Sequence, residues 1–141
     1  MDVSWKTDSW DFLDFSKEFL GKTITAVHGG KRGDSEIIFL MSDGTAYKMS
    51  HEQDCCEEVA VEDTDAPLSS LIGLPLLRAE VATSKGEYHT WTFYKLATNL
   101  ASVTIRWYGS SNGYYSEEVN LVKGEFDAGE DDRWTHYFLN Q

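Results

Sequence analysis

His51, Asp54, Cys55, Cys56, Glu57 and Glu58 lie within eight residues, and all have side chains able to bind a metal or move a proton. A closed zinc site uses cysteine or histidine pairs two to four residues apart, with a second pair elsewhere. Here the two cysteines of the chain are neighbours. In an extended segment successive side chains point to opposite faces, so the two thiols do not converge on one ion. Paired with each other they close an eight-atom ring and staple no distant parts of a fold. The expectation is therefore no metal, no disulfide framework, and two reduced, structural thiols protected by the fold in a reducing compartment. A cysteine nucleophile with His51, His89 or His136 as base is possible in residue type, and no spacing supports it. With 24 acidic residues some close carboxylate pair is inevitable, so none stands out as an acid–base dyad. Gly29-Gly30-Lys31-Arg32-Gly33 lacks the strand-to-helix setting and the spacing of a phosphate loop. No enzyme activity and no cofactor are expected.

Residues 88–122 carry a different chemistry, that of recognition. Three β-rich runs, Tyr88 to Leu96, Val103 to Tyr108 and Tyr114 to Val122, are joined by short linkers that suit antiparallel hairpins. If residues 97–102 pair Leu96 with Val103, Tyr94 lies opposite Ile105 and Thr92 opposite Trp107. If the loop from Gly109 to Gly113 pairs Tyr108 with Tyr114, Ile105 lies opposite Glu117 and Val103 opposite Val119. One face then collects Tyr94, Leu96, Val103, Ile105, Trp107, Val119 and Leu121, and that face is the core. The other collects His89, Trp91, Phe93, Lys95, Thr104, Arg106, Tyr108, Tyr114, Ser116 and Glu118. Rigid aromatic area around a few convergent polar groups is the composition of a recognition surface. The candidate binding residues are Trp91, Phe93, Arg106, Tyr108, Ser111, Asn112, Tyr114 and Ser116. The plainer alternative is a face covered by the N-terminal helix, with Arg106 paired to Glu118 and Ser111 and Asn112 serving their own turn.

Other elements must hold these strands in place. Phe12, Phe15 and Phe19 recur at helical spacing opposite Asp11, Asp14 and Glu18, which predicts an amphipathic helix from Asp8 to Leu20 stopped by Gly21. Thr23 to His28, Ser35 to Met41 and Thr45 to His51 read as strands, with Asp43-Gly44 as a hairpin turn and 29–34 as an exposed turn. Residues 51–65 hold seven acids and no lysine or arginine, and Val59 to Val61 offers a short strand within them. Pro67 to Gly73 predicts one helical turn, followed by a buried strand from Leu74 to Ala82.

The fold class is thus α+β: one domain, mostly antiparallel sheet of about seven to eight strands. It divides into an N-terminal helical segment (1–20), a β-rich core (21–123) and a C-terminal extension (124–141), acidic and then aromatic. At 141 residues and 41% apolar the chain can bury a core without staples. Its formal charge of −12 argues against direct binding of nucleic acid or of an anionic membrane. The residues from Met1 to Lys6 have no apolar core, so no signal peptide is expected, and no apolar run is long enough to span a bilayer. Trp134 to Leu139 alternates weakly and is expected to serve as a self-association edge in a homo-oligomer.

Three blocks of this sequence resemble an uncharacterised small domain family of tailed phages and prophage-like bacterial loci. They are Glu36-Ile-Ile-Phe with Ser42-Asp-Gly and His51-Glu-Gln-Asp-Cys-Cys-Glu57; Leu71-Ile-Gly with Pro75-Leu-Leu-Arg-Ala-Glu80; and Thr90-Trp-Thr-Phe-Tyr-Lys-Leu-Ala97 with Val103 through Glu117. Together they span about Gly21 to Leu121. The chain departs from the pattern in having Leu100-Ala101 where a turn glycine is expected. The resemblance carries no reaction, cofactor or catalytic residue. It implies a small phage accessory protein acting in the cytoplasm of an infected bacterium. Such proteins commonly bind a host component, so the leading expectation is an inhibitor of a host protein, acting through the aromatic and arginine face with an acidic rim. The alternatives are a sponge for a small, nucleotide-derived host signal and, behind it, an acidic DNA mimic.

Overall fold

The computed structural model describes residues 3–6, 13–113 and 115–127. Nine strands and one short α-helix occur among them: β1 (Ser4–Trp5), α1 (Phe15–Phe19), β2 (Ile24–Gly29), β3 (Glu36–Met41), β4 (Thr45–Ser50), β5 (Glu58–Thr64), β6 (Arg78–Lys85), β7 (His89–Ala97), β8 (Ser102–Ser110) and β9 (Asn120–Glu125). A 3-10 turn, Leu68–Leu71, stands where a helical turn is predicted. The strands form two antiparallel sheets, ordered β1-β9-β4-β3-β2 and β5-β8-β7-β6.

The two sheets share one core. Ile24, Ile37, Phe39, Met41, Tyr47 and Met49 from the first sheet meet Val61, Tyr94, Leu96, Val103, Ile105 and Trp107 from the second. Period-two alternation in β7 and β8 sends every second side chain into this layer, so its burial follows from the pleat. A smaller cluster of Ala26, Ile38, Leu40 and Ala46, packed by Val3, Trp5 and Phe126, buries the back of the first sheet. The mostly antiparallel sheet of the sequence reading is therefore found, as two sheets.

Helix α1 is described over five residues, with Asp14 capping the Lys17 N–H at 3.2 Å. Residues 8–12 of the predicted helix lie outside the described residues. Phe15 and Phe19, four apart, share the buried side of α1. Phe15 sets its ring edge against Tyr94 and Phe19 against Phe39. These contacts place α1 against the core side of the sheets, not over the aromatic face.

Two strand expectations are corrected. The run from Tyr114 to Val122 does not return beside β8. Its strand begins at Asn120 and joins the first sheet between β1 and β4, while β5 takes the place beside β8. The physical reason is that Val59 and Val61 supply the apolar alternation that β8 needs, pairing Val59 with Gly109 and Val61 with Trp107. Val119 and Leu121 still pack on the shared core, from the opposite sheet. The strand predicted from Leu74 to Ala82 starts later, at Arg78, and is exposed over most of its length. It is the terminal strand of its sheet, so little covers it.

The 97–102 hairpin keeps its expected register, Leu96 opposite Val103, without the missing glycine. The Thr98 hydroxyl accepts the N–H groups of Leu100 and Ala101 at 3.2 Å, and the Thr98 N–H donates to the Ala101 carbonyl at 2.9 Å. A side-chain oxygen thus closes the turn that a positive-φ residue would otherwise have made. Strand β9 crosses the boundary placed at 123/124, and β1 pairs with it. The predicted edge segment 134–139 lies outside the described residues.

Candidate functional site

Strands β7 and β8 set Trp91 opposite Tyr108 and Phe93 opposite Arg106, all on the side of the sheet away from the core. The Trp91 ring lies nearly parallel to Phe93, with centroids 6.2 Å apart, and inclined to Tyr108 at 4.8 Å. His89 stacks on Tyr108 at 6.2 Å. The guanidinium of Arg106 sits over the Trp91 ring, 5.4 Å from its centroid. Cation and aromatic faces at that distance attract, and the contact also fixes the direction of the guanidinium fork.

The partner of Arg106 is Asp63. Arg106 Nε donates to Asp63 Oδ1 at 2.7 Å, and a second guanidinium N–H donates to Oδ2. These hydrogen bonds hold the Asp63 carboxyl below its ordinary range and push the guanidinium up. The pair is exposed: the two side chains keep 44% and 45% of their accessible area. A register shift between Val61 and Asp63 brings the aspartate opposite Arg106. Asp65 adds to this border by accepting the Thr104 N–H at 2.8 Å. Sequence reading gave Arg106 Ser116 or Glu118 as its neighbour, because it placed the wrong strand beside β8. The unused signal was the run of acids from Glu62 to Asp65, directly after the Val59–Val61 alternation.

Of the eight candidate binding residues, the structure brings together Trp91, Phe93, Arg106 and Tyr108. Ser111, Asn112 and Ser116 are on the connection between the sheets. The Ser111 hydroxyl donates to Glu117 Oε2 at 2.6 Å and accepts the Gly113 N–H at 3.0 Å. Ser116 accepts the Glu118 N–H at 3.2 Å. Asn112 borders a small open hollow with Glu87, Tyr88 and Gly113. Tyr114 lies outside the described residues.

The 51–58 cluster resolves into a structural lock. His51, at the end of β4, joins both connections between the sheets: its Nε2 is 2.8 Å from Glu57 Oε1 and its Nδ1 is 2.7 Å from the Glu118 carbonyl. Glu57 also accepts the N–H groups of Asp54 at 2.6 Å and Cys55 at 3.1 Å. The Asp54 N–H, with His51 and the Cys55 N–H behind it, holds the Glu57 carboxyl at about 2, far below the ordinary carboxylate range. Beside it the Thr90 hydroxyl donates to the buried Glu117 at 2.8 Å.

Cys55 and Cys56 correct the expectation of reduced, protected thiols: they are bonded to each other, and both are exposed at the tip of the 51–57 loop. Among the described residues no group of three histidine, cysteine or acidic side chains is placed to hold a metal ion, and no helix is long and apolar enough to cross a membrane.

Two antiparallel sheets packed on one core, the second with an aromatic outer face, define a β-sandwich. The family model described as Domain of unknown function (DUF7448) matches residues 17–121, and the chain belongs to that family. No curated protein and no solved structure matches the chain.

Proposed function

We propose that this protein is a non-catalytic binding protein whose ligand surface is the outer face of the β5-β8-β7-β6 sheet. The observation that carries this reading is Arg106, held at once by Asp63 and by the face of Trp91. A solvated sheet face has no use for a guanidinium oriented by two groups between Trp91, Phe93 and Tyr108. An interface has: aromatic and arginine side chains supply most of the energy of such contacts. Arg78, Lys95 and Arg106 on this face are matched by Glu58, Asp63 and Glu80, so the face lacks the strong negative excess of the chain as a whole. Further acids border it, Glu62 and Asp65 beside β8 and Glu52 and Asp54 in the 51–57 loop.

The partner proposed is a host protein, and the setting an infected bacterial cytoplasm with this chain as a phage accessory protein; the sequence blocks given above support that setting. The test is affinity capture from lysate of a susceptible bacterium with the wild-type chain, Trp91→Ala and Arg106→Lys, alongside mass spectrometry of small molecules released on denaturation. A protein retained by the wild type and lost from both variants supports the reading. A released nucleotide with no retained protein replaces it with sequestration of a small signal.

A further inference from the structure

Four sheet edges end the two sheets, and they are treated differently. The edge at β5 receives the 29–34 turn: the Gly33 N–H donates to the Val61 carbonyl at 2.8 Å, and the Val61 N–H donates to the Asp34 carbonyl at 2.9 Å. It is further broken by the register shift beside Asp63. The edge at β2 is interrupted between Ile24 and Ala26, accepts the Gly73 N–H at 3.0 Å on the Ile24 carbonyl, and is bridged by Thr23 to Pro75. The edge at β1 is two residues long. Shortness, bulges and covering segments are the usual ways of blunting an edge.

Among the described residues strand β6 has none of these on its free edge, and α1 packs against it from the core side. It is eight residues long, contains no proline or glycine, pairs with β7 without a break in register, and ends the sheet order. Its centre, Val81-Ala82-Thr83-Ser84, is uncharged, and Val81 keeps 46% of its surface exposed. A row of unpaired N–H and C=O groups on such a strand is a template for one more strand.

We propose that the occupant of this edge is β6 of a second copy, related by a two-fold axis perpendicular to the sheet and midway between the two Ala82 residues. That operator pairs residues whose numbers have the same parity, which keeps the faces of the two sheets aligned. With Ala82 opposite its own copy, Glu80 lies opposite Ser84 of the partner subunit and Val81 opposite Thr83 of the partner subunit. Lys85 then lies opposite Ala79 of the partner subunit, and Arg78 beside the turn that carries Glu87. No like charges stand opposite each other, which is required for a strand to pair with itself. Strand β6 also carries two cations against one acid, the reverse of the chain's overall balance, so copies meet there with least repulsion. The result is a continuous eight-stranded sheet whose two aromatic faces lie on the same side.

The axis makes a charge-swap experiment decisive. Ala82 is exposed, so its replacement leaves the fold intact. Sedimentation equilibrium over a dilution series should find the wild type dimeric at high concentration. Ala82→Glu and Ala82→Lys, each alone, put like charges together at the axis and should weaken the dimer by about tenfold or more. An equal mixture of the two variants should restore it. A third variant, Ala82→Cys with Cys55→Ser and Cys56→Ser, should cross-link to a covalent dimer on oxidation. A wild type that stays monomeric overturns the proposal. So do single-charge variants that stay dimeric, which would place association elsewhere, such as the 134–139 segment, and so does a mixture that fails to reassemble.

Discussion

The molecule holds two carboxylates paired with nitrogen side chains in opposite settings, Asp63 with Arg106 and Glu57 with His51. Arg106 and Asp63 are bidentate on an open sheet face and keep nearly half of their accessible area, whereas His51 and Glu57 keep 4% and none. The buried pair has every direction filled: Glu57 by His51 and two backbone N–H groups, His51 by Glu57 and a carbonyl. It therefore ties the two connections between the sheets and offers nothing to a ligand. The open pair orients a donor fork whose remaining directions face outward. Similar side-chain chemistry gives a clasp in one place and a recognition element in the other, and burial decides which.

The largest effect expected from breaking this comparison is at Glu57. Glu57→Gln keeps the shape, removes the charge and sets an amide NH2 among donors, so buried N–H groups lose an acceptor. It should give the greatest fall in melting temperature of the substitutions considered, while Arg106→Lys and Asp63→Asn leave the melting temperature nearly unchanged, as exposed pairs do. If the three variants melt alike, the distinction between clasp and recognition element fails.

Acid titration sharpens the same point. A carboxyl held at about 2 against an ordinary 4.5 contributes stability that is complete above about pH 4.5 and is lost as pH falls through about 2. Asp43 contributes a second such limb. Its partial burial works to raise it and is outweighed by hydrogen bonds from the Thr45 hydroxyl and N–H and from Lys22, which bring it to about 2. Thermal denaturation between pH 5 and pH 2 should therefore show the wild type losing stability steadily. Glu57→Gln should lose less over that interval because the limb that Glu57 contributes is gone. An identical slope in the two proteins would remove Glu57 from the account.

Binding is expected to respond in the opposite order. Arg106→Lys keeps the charge and loses the planar fork, so it should reduce retention of the partner by about tenfold or more. Glu57→Gln should reduce it only in proportion to the unfolded fraction. Partner retention that follows melting temperature across the variants would make the aromatic face a bystander.

The hairpin between β7 and β8 was legible down to its register, and with it the four residues that converge on the face. Its contacts are local: alternation in two adjacent runs, joined by four residues, leaves few ways to pair. The neighbour on the far side was not legible. Strand β5 comes from residues 58–64, over forty positions before β8, and its acids obscure a pattern that Val59 and Val61 alone carry. The residues from Gly109 to Gly113 resemble a hairpin turn in composition, and nothing in their chemistry says that the chain leaves the sheet there. The exchange of one strand for another altered which residues face Arg106 without altering which side of β8 it occupies. The four residues at the centre of the face were therefore placed correctly on one side of the sheet, and the residues at its border incorrectly.

The smallest expected effect concerns Cys55 and Cys56, and it tests what holds the loop. A disulfide stabilises mainly by restricting the unfolded chain, more strongly as the loop it closes lengthens. Here the sequence separation is one, so there is almost no loop to close. The segment is instead positioned by Glu57, which accepts the N–H groups of Asp54 and Cys55, and by Gln53, whose amide donates to the Cys55 carbonyl at 3.1 Å and to the Glu57 carbonyl at 2.5 Å. Reduction of the folded protein should proceed readily because both residues are exposed, and alkylation should then label both thiols without denaturant. The melting temperature should change little on reduction, and little in the Cys55→Ser, Cys56→Ser double variant. A fall as large as that caused by Glu57→Gln would transfer the clasp from the carboxylate to the sulfur pair.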